Sequence, residues 1–129
     1  FIRSSGHHRH SEYIVLNSEI FGMQRDDLVI VANCVRYHRK AVPNASHPNF
    51  MGLSREDRMA VLKLASIIRV ADSLDRGHTQ HVHIMGIERK EDHLVLATES
   101  PGDLTLERMS LAEKSDMFED VFGFKVVVV

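Results

Sequence analysis

Three separate segments of the sequence place a histidine or an aspartate on the inward side of a predicted helix. They are GHHRHSEY, VRYHRK and LASIIRVADSLDRGH. Imidazole and carboxylate groups together are ligands that suit divalent ions such as Mg, Mn or Zn. We therefore predict a metal site, and its candidate ligands are His10, His38, Asp72 and Asp75.

Each of these side chains also has a simpler explanation. Asp72 and Asp75 continue the inward apolar stripe of Ala65 and Ile68 at helical spacing. A carboxylate in such a stripe is costly unless a cation, a metal ion or hydrogen bonds satisfy it. An ion pair with Arg69 or Arg76 would do so without a metal, and His38 would equally be a hydrogen-bonded core histidine. Both readings stay open at this point.

Basic side chains gather around the same segments. Arginine and lysine donate strong, charge-assisted hydrogen bonds to phosphate groups. The cluster at the end of the second predicted helix would therefore contact phosphate, or it would be a solvated helix end where positive charge suits the helix dipole. The candidate polyphosphate contacts are Arg9, Arg36, Arg39, Lys40 and Arg76.

Three helices must position these groups. The first is expected over residues 10–19 and the second over residues 25–38, whose middle, LVIVANCV, is apolar on nearly all sides and should be central. A polar loop, AVPNASHPNFMGLS, follows. The third helix is expected over residues 55–76, with Ser54 as its cap and Asp57 three residues later, as in a capping box.

The second half of the chain predicts strands as well as helix. HVHIMGI and HLVLAT, at residues 81–87 and 93–98, are β-like and form a predicted hairpin around the charged turn ERKED. Helix is expected between residues 104 and 122, in two pieces, with Gly123 as its terminator. FKVVVV predicts a third strand that completes a small sheet.

The predicted fold class is therefore α+β, mainly α. Residues 1–78 are expected to form a helical bundle, and residues 79–129 a small β-sheet with a C-terminal helix. The chain begins with Phe1 and ends in four valines, and neither end resembles a natural terminus. We expect the chain to be a fragment of a longer protein.

Composition excludes several classes of protein. Hydrophobic residues make up 43% of the 129 residues, so a packed core is expected. The formal net charge of −2 argues against a general nucleic-acid binder. No apolar run approaches the ~20 residues of a membrane span. The single cysteine, Cys34, excludes an intrachain disulfide and fits a reducing, cytoplasmic compartment.

GHHRHSEY, VRYHRK, LASIIRVADSLDRGH and the closing FEDVFGFKVVV together resemble the C-terminal part of the exopolyphosphatase/guanosine pentaphosphate phosphohydrolase (Ppx/GppA) family. The resemblance covers nearly the whole chain in the right order. It implies a bundle like that of the HD phosphohydrolases and a parent enzyme that cleaves inorganic polyphosphate or pppGpp in a separate catalytic unit. No Gly-rich phosphate loop of such a unit occurs in this sequence.

The resemblance also implies roles for individual residues. HD domains bind metal through an early His, a His-Asp dyad, further histidines and a late Asp. His10 and His38 match the further histidines, and Asp72 matches the late Asp. The early His and the dyad have no counterpart here, so the resemblance implies an incomplete metal site and a fragment that is inactive by itself.

Three functions follow from these expectations. The first is an accessory domain that helps a phosphatase to bind polyphosphate, or pppGpp, and to form a homodimer. The alternative is a metal-dependent HD-type phosphohydrolase domain, in which a metal ion would activate water. The third is a purely structural dimerisation module, for which the apolar second helix and the VVVV end would supply contacts.

Overall fold

Helices make up most of the described part of the chain, which comprises residues 7–17, 22–39, 41–77, 81–99 and 103–129 of a computed structural model. In chain order the elements are α1 (His7–Leu16), α2 (Arg25–Tyr37), α3 (Pro48–Met51), α4 (Arg55–Leu74), β1 (Ile84–Arg89), β2 (His93–Thr98), α5 (Thr105–Lys114), α6 (Asp116–Phe122) and β3 (Lys125–Val128). The predicted class, α+β and mainly α, is confirmed. No helix in the described ranges is long and apolar enough to cross a membrane.

The chain divides into two compact units, Phe1–Ala65 and Ser66–Val129, and the division falls within α4. The sequence predicts a boundary after residue 78. This position lies within residues 78–80, which are outside the described residues. That domain boundary stays a prediction.

Helix α1 begins earlier than predicted. It starts at His7 rather than at residue 10, so the histidine-rich segment forms its first turn. At its other end, Arg25 Nη1 donates a hydrogen bond to the carbonyl of Leu16 at 2.7 Å. This bond satisfies one of the carbonyls that a helix leaves without an intrahelical partner at its C-terminus. The predicted end at residue 19 lies outside the described residues.

Helix α2 matches the prediction and is central to the first unit. Every residue from 28 to 35 is buried or half-buried, as the apolar run LVIVANCV requires. Asp26 and Asp27 occupy the first turn and Arg36 the last, the arrangement that the helix dipole favours. Helix α1 packs against α2.

The loop after α2 contains a one-turn helix, α3, that the sequence reading missed. Pro48 occupies its first position, where its missing N–H costs nothing. The buried side chain of Asn33, on α2, donates hydrogen bonds to the carbonyl of Asn49 at 3.2 Å and to that of Val29 at 2.8 Å. This amide therefore fixes α3 to α2. Phe50 is buried as well.

Helix α4 is capped as predicted. Ser54 Oγ accepts a hydrogen bond from the backbone N–H of Asp57 at 3.1 Å, which satisfies one donor of the first turn. The helix ends at Leu74, two residues before the predicted end, because residues 75–77 form a turn. Its buried face follows a four-residue spacing through Val61, Ala65, Arg69 and Ser73.

One prediction about α4 is wrong. The apolar spacing predicted that Ile68 lies on the inward stripe together with Asp72, but Ile68 is exposed and Asp72 is half-buried. The buried face is rotated toward Arg69 and Ser73, whose hydroxyl donates to the Arg69 carbonyl at 2.8 Å. A polar buried face of this kind is not visible to a reading based on apolar spacing alone.

The second unit is built on a three-stranded sheet of order β1-β2-β3. The predicted hairpin is confirmed: β1 and β2 are antiparallel, with Ile87 opposite Leu96, and an irregularity between Ile84 and Gly86. Strand β1 begins three residues after the predicted start. Strand β3 runs parallel to β2, a pairing that needs a crossover connection, which α5 and α6 provide.

The core of this unit lies on one face of the sheet. Leu94 and Leu96 share that face, and Leu96 is buried. The crossover forms in two helical pieces as expected, and it ends at Gly123, whose φ of +79° is the left-handed cap conformation that glycine adopts without strain. The buried members of the cluster are Val70, Leu96, Leu104, Leu111, Val126 and Val128.

Truncation of Leu96 tests this core. Leu96→Ala should lower the free energy of unfolding by about 2–5 kcal/mol, the usual cost of a buried leucine together with its cavity. The control is Ile87→Ala, because Ile87 lies directly opposite Leu96 yet is 65% exposed, against 5% for Leu96. It should cost at most about 1 kcal/mol. Urea unfolding of both variants measures the difference, and equal losses would contradict this assignment of the core.

Candidate functional site

An ion pair between α1 and α2 holds one of the predicted anion contacts. Arg36 Nη1 lies 3.7 Å from Glu12 Oε1, and the two side chains are only 13% and 9% exposed. Glu12 belongs to the GHHRHSEY segment, but the sequence reading gave it no role. Its carboxylate provides the charge that a buried guanidinium needs.

Two polar atoms of this pair lack a second partner. Among the described residues, Glu12 Oε2 and Arg36 Nε are buried without a hydrogen-bond partner. Removing either charged partner would therefore leave the other with little compensation. The geometry makes Arg36 a structural residue of the α1–α2 contact rather than an exposed contact for a polyanion.

The other predicted anion contacts have different surroundings. Arg39, just after α2, and Arg76, just after α4, are both exposed. Lys40 and the side chain of Arg9 lie outside the described residues. The candidate anion contacts that are open to solvent in the described part of the chain are thus Arg39, in the first unit, and Arg76, in the second.

The two predicted histidine ligands lie in the first unit. His10 is half-buried on α1, while the side chains of His7 and His8 are outside the described residues. His38 follows α2 and is also half-buried. Its Nδ1–H donates to the carbonyl of Val35 at 2.5 Å, so a neutral His38 has its free lone pair on Nε2. Its hydrogen bond agrees with the simpler explanation of a bonded histidine.

The predicted aspartate ligands lie in the second unit. Asp72 Oδ2 accepts a hydrogen bond from Lys114 Nζ at 2.8 Å, and the side chains are 18% and 13% exposed. Asp75 is half-buried in the turn after α4. Lys114 of α5 is thus a cation beside Asp72 that the ion-pair alternative, which named Arg69 or Arg76, did not include.

These positions bear on whether a divalent ion fits. A protein metal site needs three or more converging donors, and no group of three His, Cys, Asp or Glu side chains close enough to hold a metal occurs among the residues described. The lysine ammonium already neutralises Asp72. The described donor set therefore does not fit a resident metal ion. The described donors and the Lys114–Asp72 pair give no support to the HD-type phosphohydrolase alternative.

A hydrogen-bonded chain that the sequence reading missed fastens the loop after α2. Ser46 N–H donates to Asn44 Oδ1 at 2.8 Å, which turns the Asn44 amide nitrogen toward His47 Nε2 at 3.3 Å. Because an amide NH₂ only donates, Nε2 accepts and a neutral His47 carries its proton on Nδ1. His47 Nδ1–H then donates to Tyr37 Oη, and Nδ1 and Oη are 2.6 Å apart. The Tyr37 ring is fully buried and stacks on the imidazole.

Two ionisable groups of α2 are unsuited to chemistry at neutral pH. Burial raises the pKa of the Cys34 thiol to about 11, so it is neither a nucleophile nor a thiolate ligand. Burial also raises the pKa of Tyr37, with a smaller opposing effect of the nearby Arg36. Both side chains serve the core of the first unit.

A cavity of about 400 Å³ lies in the second unit beside β3. Arg108 on its wall donates from Nε to the carbonyl of Val128 at 3.4 Å. The wall carries both signs of charge, because it includes Lys125 and Arg108 together with Asp116 and Glu119. Mixed charge gives no preference for a polyanion, so this cavity does not add to the predicted phosphate contacts.

The chain matches the model of a known protein family. The family model for the Ppx/GppA phosphatase, domain III, matches residues 1–115 of the 129 residues. The matched range includes every candidate ligand and anion contact named above, together with Lys114 and Glu12.

The Glu12–Arg36 pair can be tested by unfolding. Glu12→Gln should lower the free energy of unfolding by about 1–3 kcal/mol, because Arg36 then keeps a buried charge without an opposing one. The double variant Glu12→Leu/Arg36→Met should cost less than the single change, since both charges are gone. Denaturant titration at constant pH measures both, and a double variant at least as costly as Glu12→Gln would contradict the pairing.

Proposed function

The chain belongs to the Ppx/GppA phosphatase family, in which it corresponds to domain III, and from this premise we propose that it helps the enzyme to hold polyphosphate and to form a dimer. The family match over residues 1–115 carries the proposal. The catalytic unit of the family is a separate part, and the sequence has no Gly-rich phosphate loop. We therefore assign an accessory role to the matched domain.

The support for anion binding is local rather than global. With a formal net charge of −2, the chain as a whole does not attract a polyanion. Contacts must therefore come from exposed cationic side chains. Arg39 meets this condition at the end of α2, and Lys40 follows it in the sequence. Arg76 meets it in the second unit. A guanidinium can bind two phosphate oxygens at once.

Arg36 has a different part in this proposal. Its pair with Glu12 holds it at the α1–α2 contact, so it orders the helix that ends just before Arg39. A variant that reverses the charge of Arg36 would place two buried negative charges side by side and would unfold the segment. A loss of polyphosphate affinity in that variant would say nothing about direct contact, and the decisive variant changes Arg39 instead.

Arg39→Glu should weaken polyphosphate binding by roughly 3- to 10-fold at low salt, because one phosphate contact is replaced by repulsion. The matched control is Lys90→Glu, an exposed residue of the hairpin turn that changes the net charge by the same amount. Titration of the chain, and of a phosphatase that contains it, with polyphosphate at several salt concentrations gives the affinity and its salt dependence.

Equal affinities for Arg39→Glu, Lys90→Glu and the unaltered chain would refute the anion contact. A parallel titration with pppGpp distinguishes the two substrates. A longer polymer contacts more cations at once, so its affinity should fall more steeply with salt than that of pppGpp. A pppGpp affinity that depends on Arg39 while polyphosphate affinity does not would assign the contact to the nucleotide.

The support for a dimer is an exposed apolar face on α5. Leu106 and Met109 are three residues apart, so they lie on the same side of the helix, and both are exposed. Neighbouring exposed apolar side chains of this kind mark surfaces that associate. A second copy of the chain is the partner that the proposal assigns to this face.

Met109→Lys should raise the dimer dissociation constant by at least about tenfold, since burial of a lysine charge opposes association. Sedimentation or light scattering over a range of concentrations measures the constant. Val42→Lys is the control, because Val42 is another exposed apolar residue, in the loop of the first unit. A dimer that is equally stable in both variants would rule out the α5 face, and a monomer at all concentrations would rule out dimerisation.

A further inference from the structure

The carboxylate of Asp72 has a cation beside it that belongs to the chain itself. Asp72 lies on the last turn of α4, and the resemblance described above matches it to the late metal-binding aspartate of HD domains. Lys114 lies on the last turn of α5, and its ammonium is 2.8 Å from Asp72 Oδ2. The two residues are 42 positions apart in the sequence.

The pair is shielded from solvent. The side chains are 18% and 13% exposed, and both residues belong to the second unit. Val70 and Leu74, close to Asp72 on α4, pack in the core cluster with Leu111, which is one turn before Lys114 on α5. A charge in such a place needs an opposite charge within a few ångströms.

We propose that Lys114 takes the place of the metal ion at the late aspartate, so that Asp72 is one half of an internal ion pair that links α4 to α5. The domain then retains the HD-like carboxylate as a structural group. Lys114, which the sequence reading did not single out, becomes the residue on which the orientation of Asp72 depends.

The electrostatics favour this assignment over a shared site. A divalent ion bound to Asp72 would sit within a few ångströms of the ammonium, and like charges at that distance repel strongly where solvent is scarce. The ion would also lack ligands, because the part of the chain that the structure describes has no group of three donor side chains. Lys114 by contrast satisfies the carboxylate with one charge and one hydrogen bond.

A double-mutant cycle tests the pair in the 129-residue chain. Asp72→Asn and Lys114→Gln should each lower the folding equilibrium constant by about ten- to a hundredfold, because each removes the attraction between the Asp72 carboxylate and the Lys114 ammonium. Asp72→Asn/Lys114→Gln should lie within about fivefold of the unaltered chain, since neither charge is left. Lys114→Arg keeps a cation and should fold even if Lys114→Gln does not.

Titration with Mn²⁺ supplies an independent readout. Addition of Mn²⁺ should shift the thermal unfolding midpoint of the unaltered chain no more than it shifts the midpoint of Asp72→Asn. Asp120→Asn serves as the control for ions that bind weakly to any surface carboxylate, because Asp120 is exposed on α6.

Two results would overturn the proposal. One is additivity of the single changes in the cycle, or a Lys114→Arg variant no more stable than Lys114→Gln. The other is a rise in midpoint with Mn²⁺ that is present in the unaltered chain and in Asp120→Asn but lost in Asp72→Asn. That second result would restore Asp72 as a metal ligand.

Discussion

Charged side chains between packed helices depend on an opposite charge nearby, because desolvation of an unpaired ion costs far more than the packing around it returns. The first unit meets this requirement with Glu12 and Arg36, and the second with Asp72 and Lys114. In each unit the pair joins residues on two different helices. These ion pairs therefore help to fix the positions of the helices. They also determine which charged side chains remain available to bind a ligand.

The division of charges bears on the proposed function. A residue that stabilises a buried contact is held in place and cannot adjust to a polyanion. The proposed phosphate contacts are therefore assigned to exposed side chains near helix ends, such as Arg39. The same reasoning applies to the metal prediction. Once Lys114 neutralises Asp72, the carboxylate no longer attracts a second cation with its full charge. Pairing inside the domain thus limits binding at its surface.

Local rules account for the features that were predicted correctly. These features depend on residues that are close together in the sequence. They are the Ser54 cap, the extent of α2, strand β2 of the hairpin and the glycine stop at Gly123. Local rules failed at α3, where Pro48 starts a single turn that needs Asn33 of another helix to hold it. They also failed at Ile68, since the buried face of α4 carries polar residues and does not follow the apolar spacing.

The sequence by itself determined the family, the mainly α class and the elements other than α3, because motif order and periodicity are properties of the chain read in one direction. It also determined which side chains were chemically able to bind a cation or a phosphate. Only the tertiary structure decided their partners. Lys114 reaches Asp72 across 42 positions, and Arg36 meets Glu12 only because α1 packs on α2. Such pairings depend on the path of the folded chain, which no local spacing encodes.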